Sequence, residues 1–248
     1  MLVIPVVIFV FLFLVLSLPF LGIEWLIARK NPRATDMPQL RAVQWAFKGI
    51  LLLSGVRVNV IGEENVPTDE PVLYICNHRS FYDVIITYIR CPRPTGYIAK
   101  MSIKKVPILR TYMERLHCLF IDRDDLKQSL KVILAAISEV KNGVSICIFP
   151  EGTRNKDFAH PESMGEFKEG SFKIATKTGC KIIPMALIGT DQILEAHFPW
   201  VKPNRVTLVY GTPIDPKSLS KEDQKHIGAY VQNVIQQMLN EQLGISEK

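Results

Sequence analysis

The chain has 248 residues, a formal net charge of +6 at pH 7 and 48% hydrophobic residues. Its isoelectric point is about 9.0 and its mean hydropathy is positive. That length fits one large domain plus an appendage, and the basic balance suits anionic lipid or a phosphorylated small molecule. Aromatic residues are not interleaved with basic ones as base stacking requires, which argues against nucleic acid as a partner. The five cysteines (76, 91, 118, 147 and 180) form no CxxC or Cys/His cluster, which argues against zinc. Cys76, Cys118 and Cys147 lie in apolar runs and read as small buried hydrophobes in a reducing compartment.

Leu2 to Ile23 is almost unbroken in apolarity, with Pro5, Ser17, Pro19 and Gly22 as exceptions. As one helix, about 20 residues would span about 30 Å, the thickness of a bilayer core. No basic stretch precedes the run and no A-x-A-like site follows it, so a cleaved signal peptide fits poorly. Arg29, Lys30 and Arg33 come after it, so the positive-inside rule places the remainder on the cytoplasmic face. The two prolines leave a dipping or interfacial helix open. Met37 to Ser54 reads as a second, amphipathic helix with Arg41, Gln44 and Lys48 along one side. Residues 1–54 are thus expected to be a membrane-associated helical segment, and residues 55–248 an α/β domain.

In that domain Arg57–Gly62 alternates like a strand. Pro71–Cys76 is an apolar strand, and Asn77-His78-Arg79-Ser80-Phe81-Tyr82-Asp83 follows it. Val84–Ile89 continues as a buried element. Ser80-x-x-Asp83 fits a capping box, which would start a helix and turn Asp83 toward His78. A short strand at Tyr97–Ala99 ends in Lys100, and Lys104 and Lys105 precede a helix from Pro107 to about Arg115. Leu116–Ile121 reads as a strand, Leu126–Lys141 as an amphipathic helix, and Val144–Phe149 as a strand. Gly170–Thr178 is a predicted helix. Lys181–Ile188 is a strand whose internal proline predicts an edge or a bulge. Arg205–Tyr210 is a strand, and Ser220 with Asp223 caps the final helix. Strands alternating with helices imply a largely parallel mixed sheet flanked by helices.

Polar groups recur at the strand ends: Asn77-His78, Lys100, Asp122-Arg123 and Glu151-Gly152-Thr153-Arg154. Together they would line one crevice with a histidine base and cations. A neutral imidazole is a competent base near pH 7. Arginine offers a planar fork of donors for phosphate, and Gly152 lets backbone approach a ligand. No G-x-S-x-G elbow, Walker A motif or dinucleotide fingerprint is present. His78 and Asp83 lack further ligands at metal-site spacing. A base without a dedicated nucleophile points to activation of a substrate hydroxyl.

These residues carry a resemblance. The chain resembles the glycerolipid acyltransferases, and within them the 1-acylglycerol-3-phosphate acyltransferases. The family's N-H-x4-D segment is matched by Asn77, His78 and Asp83. F-I-D-R is Phe120-Ile121-Asp122-Arg123, and F-P-E-G-T-R is Phe149–Arg154. F-K-x-G is Phe167-Lys168-Glu169-Gly170, and the apolar strand with a proline is Ile183-Pro184-Met185. Order and spacing agree from about residue 57 to 212. One departure is Leu116-His117-Cys118, upstream of Phe120, where many members have a glycine.

The resemblance implies an O-acyltransferase of phospholipid biosynthesis. His78 would be the general base and Asp83 its orienting carboxylate. Arg123, Glu151, Gly152, Thr153 and Arg154 would bind the acceptor phosphate, helped by Lys100, Lys104 and Lys168. Partners would be the bilayer, lysophosphatidic acid, and an acyl-CoA or acyl carrier protein thioester, with no metal and no resident cofactor. Alternatives are another lysolipid acceptor, a non-catalytic membrane-binding homologue, and a metal-dependent hydrolase.

Overall fold

The computed structural model describes residues 2–245. Seven strands form one sheet in the order β1-β7-β6-β2-β5-β3-β4. They are β1 (Arg57–Ile61), β2 (Leu73–Cys76), β3 (Thr95–Lys100), β4 (Leu119–Ile121), β5 (Ser145–Ile148), β6 (Ile182–Ile188) and β7 (Arg205–Tyr210). All neighbours pair in parallel except β6 with β7. Strands buried on both faces read as continuous apolar runs, and the central ones do so here. Leu73, Ile75, Ile146 and Ile148 face one layer, whereas Tyr74, Cys76 and Cys147 face the other.

The first layer holds α1 (Ile4–Leu16), α2 (Leu18–Ala28), α3 (Asp36–Ser54), α4 (Tyr82–Ile89) and α5 (Pro107–Arg115). The second holds α6 (Leu126–Lys141), α7 (Lys173–Thr178) and, after the short α8 (Lys221–Lys225), α9 (Ile227–Leu243). α6 forms over the expected span because Val132, Ile133, Ala136 and Val140 recur on one buried face. Asp125 starts it by accepting the N–H groups of Lys127 and Gln128.

The amino-terminal apolar run is not one helix. It breaks at Ser17 into α1 and α2, which meet at a 45° bend. Pro19 lies at the start of α2, where its missing N–H costs nothing. Among the described residues no single helix is long and apolar enough to cross a membrane; the bent pair together passes on length and composition. Phe9 sits in a notch on α3, since a Cβ built on Gly49 would lie 2.5 Å from its ring. The far end of α1 is tied by Val3 N–H to the Pro199 carbonyl at 3.0 Å. On α2, Glu24 is buried and lies 3.3 Å from Arg115 of α5.

One expectation is narrowed and two change in detail. Pro184 is not on an edge, because β6 lies inside the sheet. It sits instead opposite a one-residue bulge: Met185 pairs with Tyr210, yet Ile182 bridges Ile214. The strand before Asp122 is only Leu119–Ile121; Leu116–Cys118 is a turn, in which His117 has φ 59°. The carboxyl-terminal helix does begin at Ser220, whose Oγ accepts Asp223 N–H, but it is interrupted at His226.

Candidate active site

Connections leaving the carboxyl ends of the neighbouring strands β2 and β5 go to opposite faces. After β2 the chain enters α4 in the first layer; after β5 it returns through α7 in the second. Such a divergence opens a crevice at the strand ends. Asn77–Asp83 and Phe149–Arg154 both fall there.

Asn77 anchors the first loop. Its side chain donates to Leu187 O at 2.9 Å and accepts Leu187 N–H at 2.8 Å, locking it to β6. His78 Nδ1 lies 2.8 Å from Asp83 Oδ2. The same oxygen accepts the N–H groups of Arg79 and Ser80, each at 2.7 Å. A carboxylate held this way accepts only, so Nδ1 carries the proton and Nε2 keeps its lone pair. Asp83 is fully buried, while the His78 side chain is 16% exposed. The imidazole stacks on Phe149, with ring centroids 4.2 Å apart.

The expected capping box forms in part: Asp83 accepts Ser80 N–H, but Ser80 Oγ takes the N–H of Tyr82 and not that of Asp83. Phe81, not Ser80, precedes the first residue of α4, and Ser80 Oγ accepts from Tyr82 N–H while donating to Glu195. Asp83 satisfies backbone N–H groups preceding the helix, which turns its carboxylate toward His78.

Glu151 is buried and faces the backbone. Oε1 accepts His78 N–H at 2.6 Å and Oε2 accepts Gly165 N–H at 2.7 Å. Burial pushes its carboxyl up from the ordinary range, against those two hydrogen bonds. Gly152 has φ 79°, and a Cβ there would lie 3.1 Å from Lys168 Nζ and 3.7 Å from Arg123 Cδ. Arg123, Lys168 and Gly152 thus converge on one end of a groove of about 280 Å³ whose wall includes Ile98, Ile121, Leu130 and Phe149. Burial lowers the Arg123 pKa. Desolvation of this kind strengthens its attraction for an anion.

The other predicted contacts lie off this groove. Lys100 and Thr153 are exposed. Lys104 is exposed and 3.8 Å from Glu114. Arg154 pairs with Glu195 at 2.9 Å and lies 3.8 Å over the Phe81 ring. Sequence reasoning passed over Glu195, Asp191 and the buried Arg79, whose guanidinium meets Asp191 at 3.1 Å. No local spacing marks them, because Arg79 meets Asp191 and Ser80 meets Glu195 across more than 110 residues.

A His–carboxylate pair thus lies at the strand ends of a mostly parallel sheet, beside cations that converge on a groove. The sequence profile of the Acyltransferase family matches residues 57–188, and the chain belongs to that family. It is 33% identical over 162 residues to a 1-acyl-sn-glycerol-3-phosphate acyltransferase of Chlamydomonas reinhardtii, covering 64% of this chain and 47% of that one. It is 27% identical over 199 residues to a probable 1-acyl-sn-glycerol-3-phosphate acyltransferase of Mycoplasma pneumoniae, covering 75% and 73%. The crystal structure of PlsC, the 1-acyl-sn-glycerophosphate acyltransferase of Thermotoga maritima, superposes with a TM-score of 0.79 at 26% identity, covering 98% and 96%. The match spans less than half the length of the Chlamydomonas protein and 38% of the Arabidopsis thaliana chloroplastic relative.

Proposed function

We propose that this chain transfers a fatty acyl group from a thioester to the free hydroxyl of 1-acylglycerol 3-phosphate, giving phosphatidic acid. The observation that carries the reading is the His78–Asp83 pair, with its outer nitrogen available, beside the convergence of Arg123 and Lys168 at Gly152. His78 Nε2 takes the hydroxyl proton as the oxygen attacks the thioester carbonyl carbon. The tetrahedral oxyanion collapses, the carbon–sulfur bond breaks, and the imidazolium returns its proton to the leaving thiolate. Asp83 stabilises the imidazolium between these steps. Arg123 and Lys168 hold the acceptor phosphate, and Glu151 holds the His78 backbone. The donor is coenzyme A or acyl carrier protein.

The membrane is where such an acceptor resides. Phe11, Leu16, Trp25, Leu26, Trp45 and Leu52 are exposed apolar residues on α1–α3. An apolar surface this large seeks a partner, and lipid fits its composition. We read α1 and α2 as membrane-seated, with the α/β domain on the cytoplasmic side.

The test is an assay of the purified full chain with labelled acyl-CoA and acyl carrier protein donors against a panel of lysolipids. Thioester-dependent phosphatidic acid is the expected product. Preference for an acceptor without a phosphomonoester would replace this substrate assignment, and no transfer at all would remove the activity. Recovery of the intact chain in a detergent-free high-speed supernatant would remove the membrane assignment.

A further inference from the structure

The stretch after β6, beyond the segment that the family profile matches, places two carboxylates against the His78 loop. Asp191 pairs with Arg79, which also donates to the carbonyls of Asp157, His160 and Ser163. Glu195 lies in a single 3-10 turn, Glu195–His197, and its side chain is 12% exposed. Its Oε2 accepts the Ser80 hydroxyl at 2.6 Å. Its Oε1 accepts Phe81 N–H at 2.8 Å and Arg154 Nη1 at 2.9 Å. Ser80 and Phe81 lie between His78 and Asp83, and Asn155 N–H donates to the His78 carbonyl at 2.7 Å. One carboxylate therefore ties the loop that bears the base to the arginine of the neighbouring strand end.

A free arginine side chain loses much rotamer entropy when it grips a ligand. Arg154 has that cost met beforehand, by its stacking on Phe81 and its link to Glu195. Among the described residues its Nε and Nη2 have no partner. We propose that Glu195 is a positioning residue for the reaction: it holds Arg154, two residues past Gly152 and outside the groove lining, so that the remaining guanidinium N–H groups reach from the side to the acceptor phosphate held by Arg123 and Lys168, while His78 works on the acceptor hydroxyl. This rests on the acyl-transfer reading above.

The experiment compares Glu195→Ala, Glu195→Gln, Arg154→Ala and the double variant Glu195→Ala/Arg154→Ala. Each is assayed with lysophosphatidic acid and with a monoacylglycerol that lacks the phosphate. Glycerol 3-phosphate binding to the detergent-solubilised full chain is measured by calorimetry in parallel. Glu195→Ala should raise KM for the phosphorylated acceptor by about tenfold or more. Any kcat loss from releasing the His78 loop should be shared by both acceptors, whereas the rise in KM should be confined to the phosphorylated acceptor and add nothing to Arg154→Ala. Glu195→Gln, which keeps one acceptor oxygen, should fall between. A KM unchanged for the phosphorylated acceptor, or raised equally for both acceptors, or KM effects additive with Arg154→Ala, would show a structural brace only and overturn the proposal. If wild type transfers no acyl group, the acyl-transfer reading fails. Calorimetry then decides this inference separately, and glycerol 3-phosphate binding unchanged by Glu195→Ala overturns it.

Discussion

Nδ1 of His78 and Oδ2 of Asp83 stand 2.8 Å apart, and that oxygen is already fixed by two backbone N–H groups. The imidazole is therefore oriented by a carboxylate that has no freedom to turn away. His78→Ala should abolish acyl transfer and Asp83→Asn should lower kcat by about a hundredfold or more. The asparagine carbonyl can still accept Nδ1–H, but a neutral amide no longer stabilises the imidazolium that forms. Turnover assays paired with circular dichroism check both. Substantial turnover by folded His78→Ala would remove the general-base role.

Glu151 braces two segments, the His78 backbone and Gly165. Glu151→Ala strands both amides and should cost about 1–3 kcal/mol for each. Glu151→Gln offers one acceptor oxygen and should recover about half. Thermal unfolding reads the stability. A loss of kcat tracking it would show that the brace also places the base.

Arg123→Ala should mainly raise KM for the phosphorylated acceptor, because the guanidinium converges with Lys168 on Gly152. Gly152→Ala should do so as well and also destabilise by about 1 kcal/mol or more. Its φ of 79° disfavours a side chain, and the new methyl would press on Lys168 Nζ. An unchanged KM in Arg123→Ala would place the phosphate elsewhere.

His117 takes the left-handed backbone that glycine favours, at the position where the family pattern has a glycine nearby. Nδ1 lies 3.0 Å from Glu139 and Nε2 3.3 Å from Asp36. Burial lowers its pKa, but the two carboxylates outweigh burial and raise it to about 9 from 6.5. A raised folded-state pKa adds stability that is complete below pH 6.5 and lost as pH climbs through 9. Its ceiling is about 3 kcal/mol. His117→Gly relaxes the backbone and removes the ion pairs. Between pH 6.5 and 9, wild-type Tm should therefore fall more steeply than that of His117→Gly. Parallel curves would show that the imidazole contributes nothing by titration.

Local signals located the strands and helices well, because they write themselves in consecutive residues. α6 begins and ends where its amphipathic pattern puts it, at Leu126 and Lys141. The break at Ser17 was obscured because apolarity continues across it, although Pro19 marked it. Pro184 pointed to an edge or a bulge, and the sheet has the bulge, which absorbs a missing N–H inside a sheet. In the site, His78 and Asp83 are five residues apart and their pairing was legible. Asn77 with Leu187, Arg79 with Asp191, and Ser80 with Glu195 join residues 110, 112 and 115 positions apart. Such contacts follow from sheet order, and nothing in local spacing encodes them.

The notch at Gly49 has a mechanical consequence. With Phe9 seated in it and Val3 pinned to Pro199, α1 is held at two points along its length and keeps one azimuth. The apolar pair is then a jig, where a flexible linker would make it a tether. On the membrane-seated reading proposed above, the lipid layer that receives it would also set the height and tilt of the His78 crevice. A Gly49→Ala methyl would lever Phe9 out and detune that height, without touching a residue of the crevice itself.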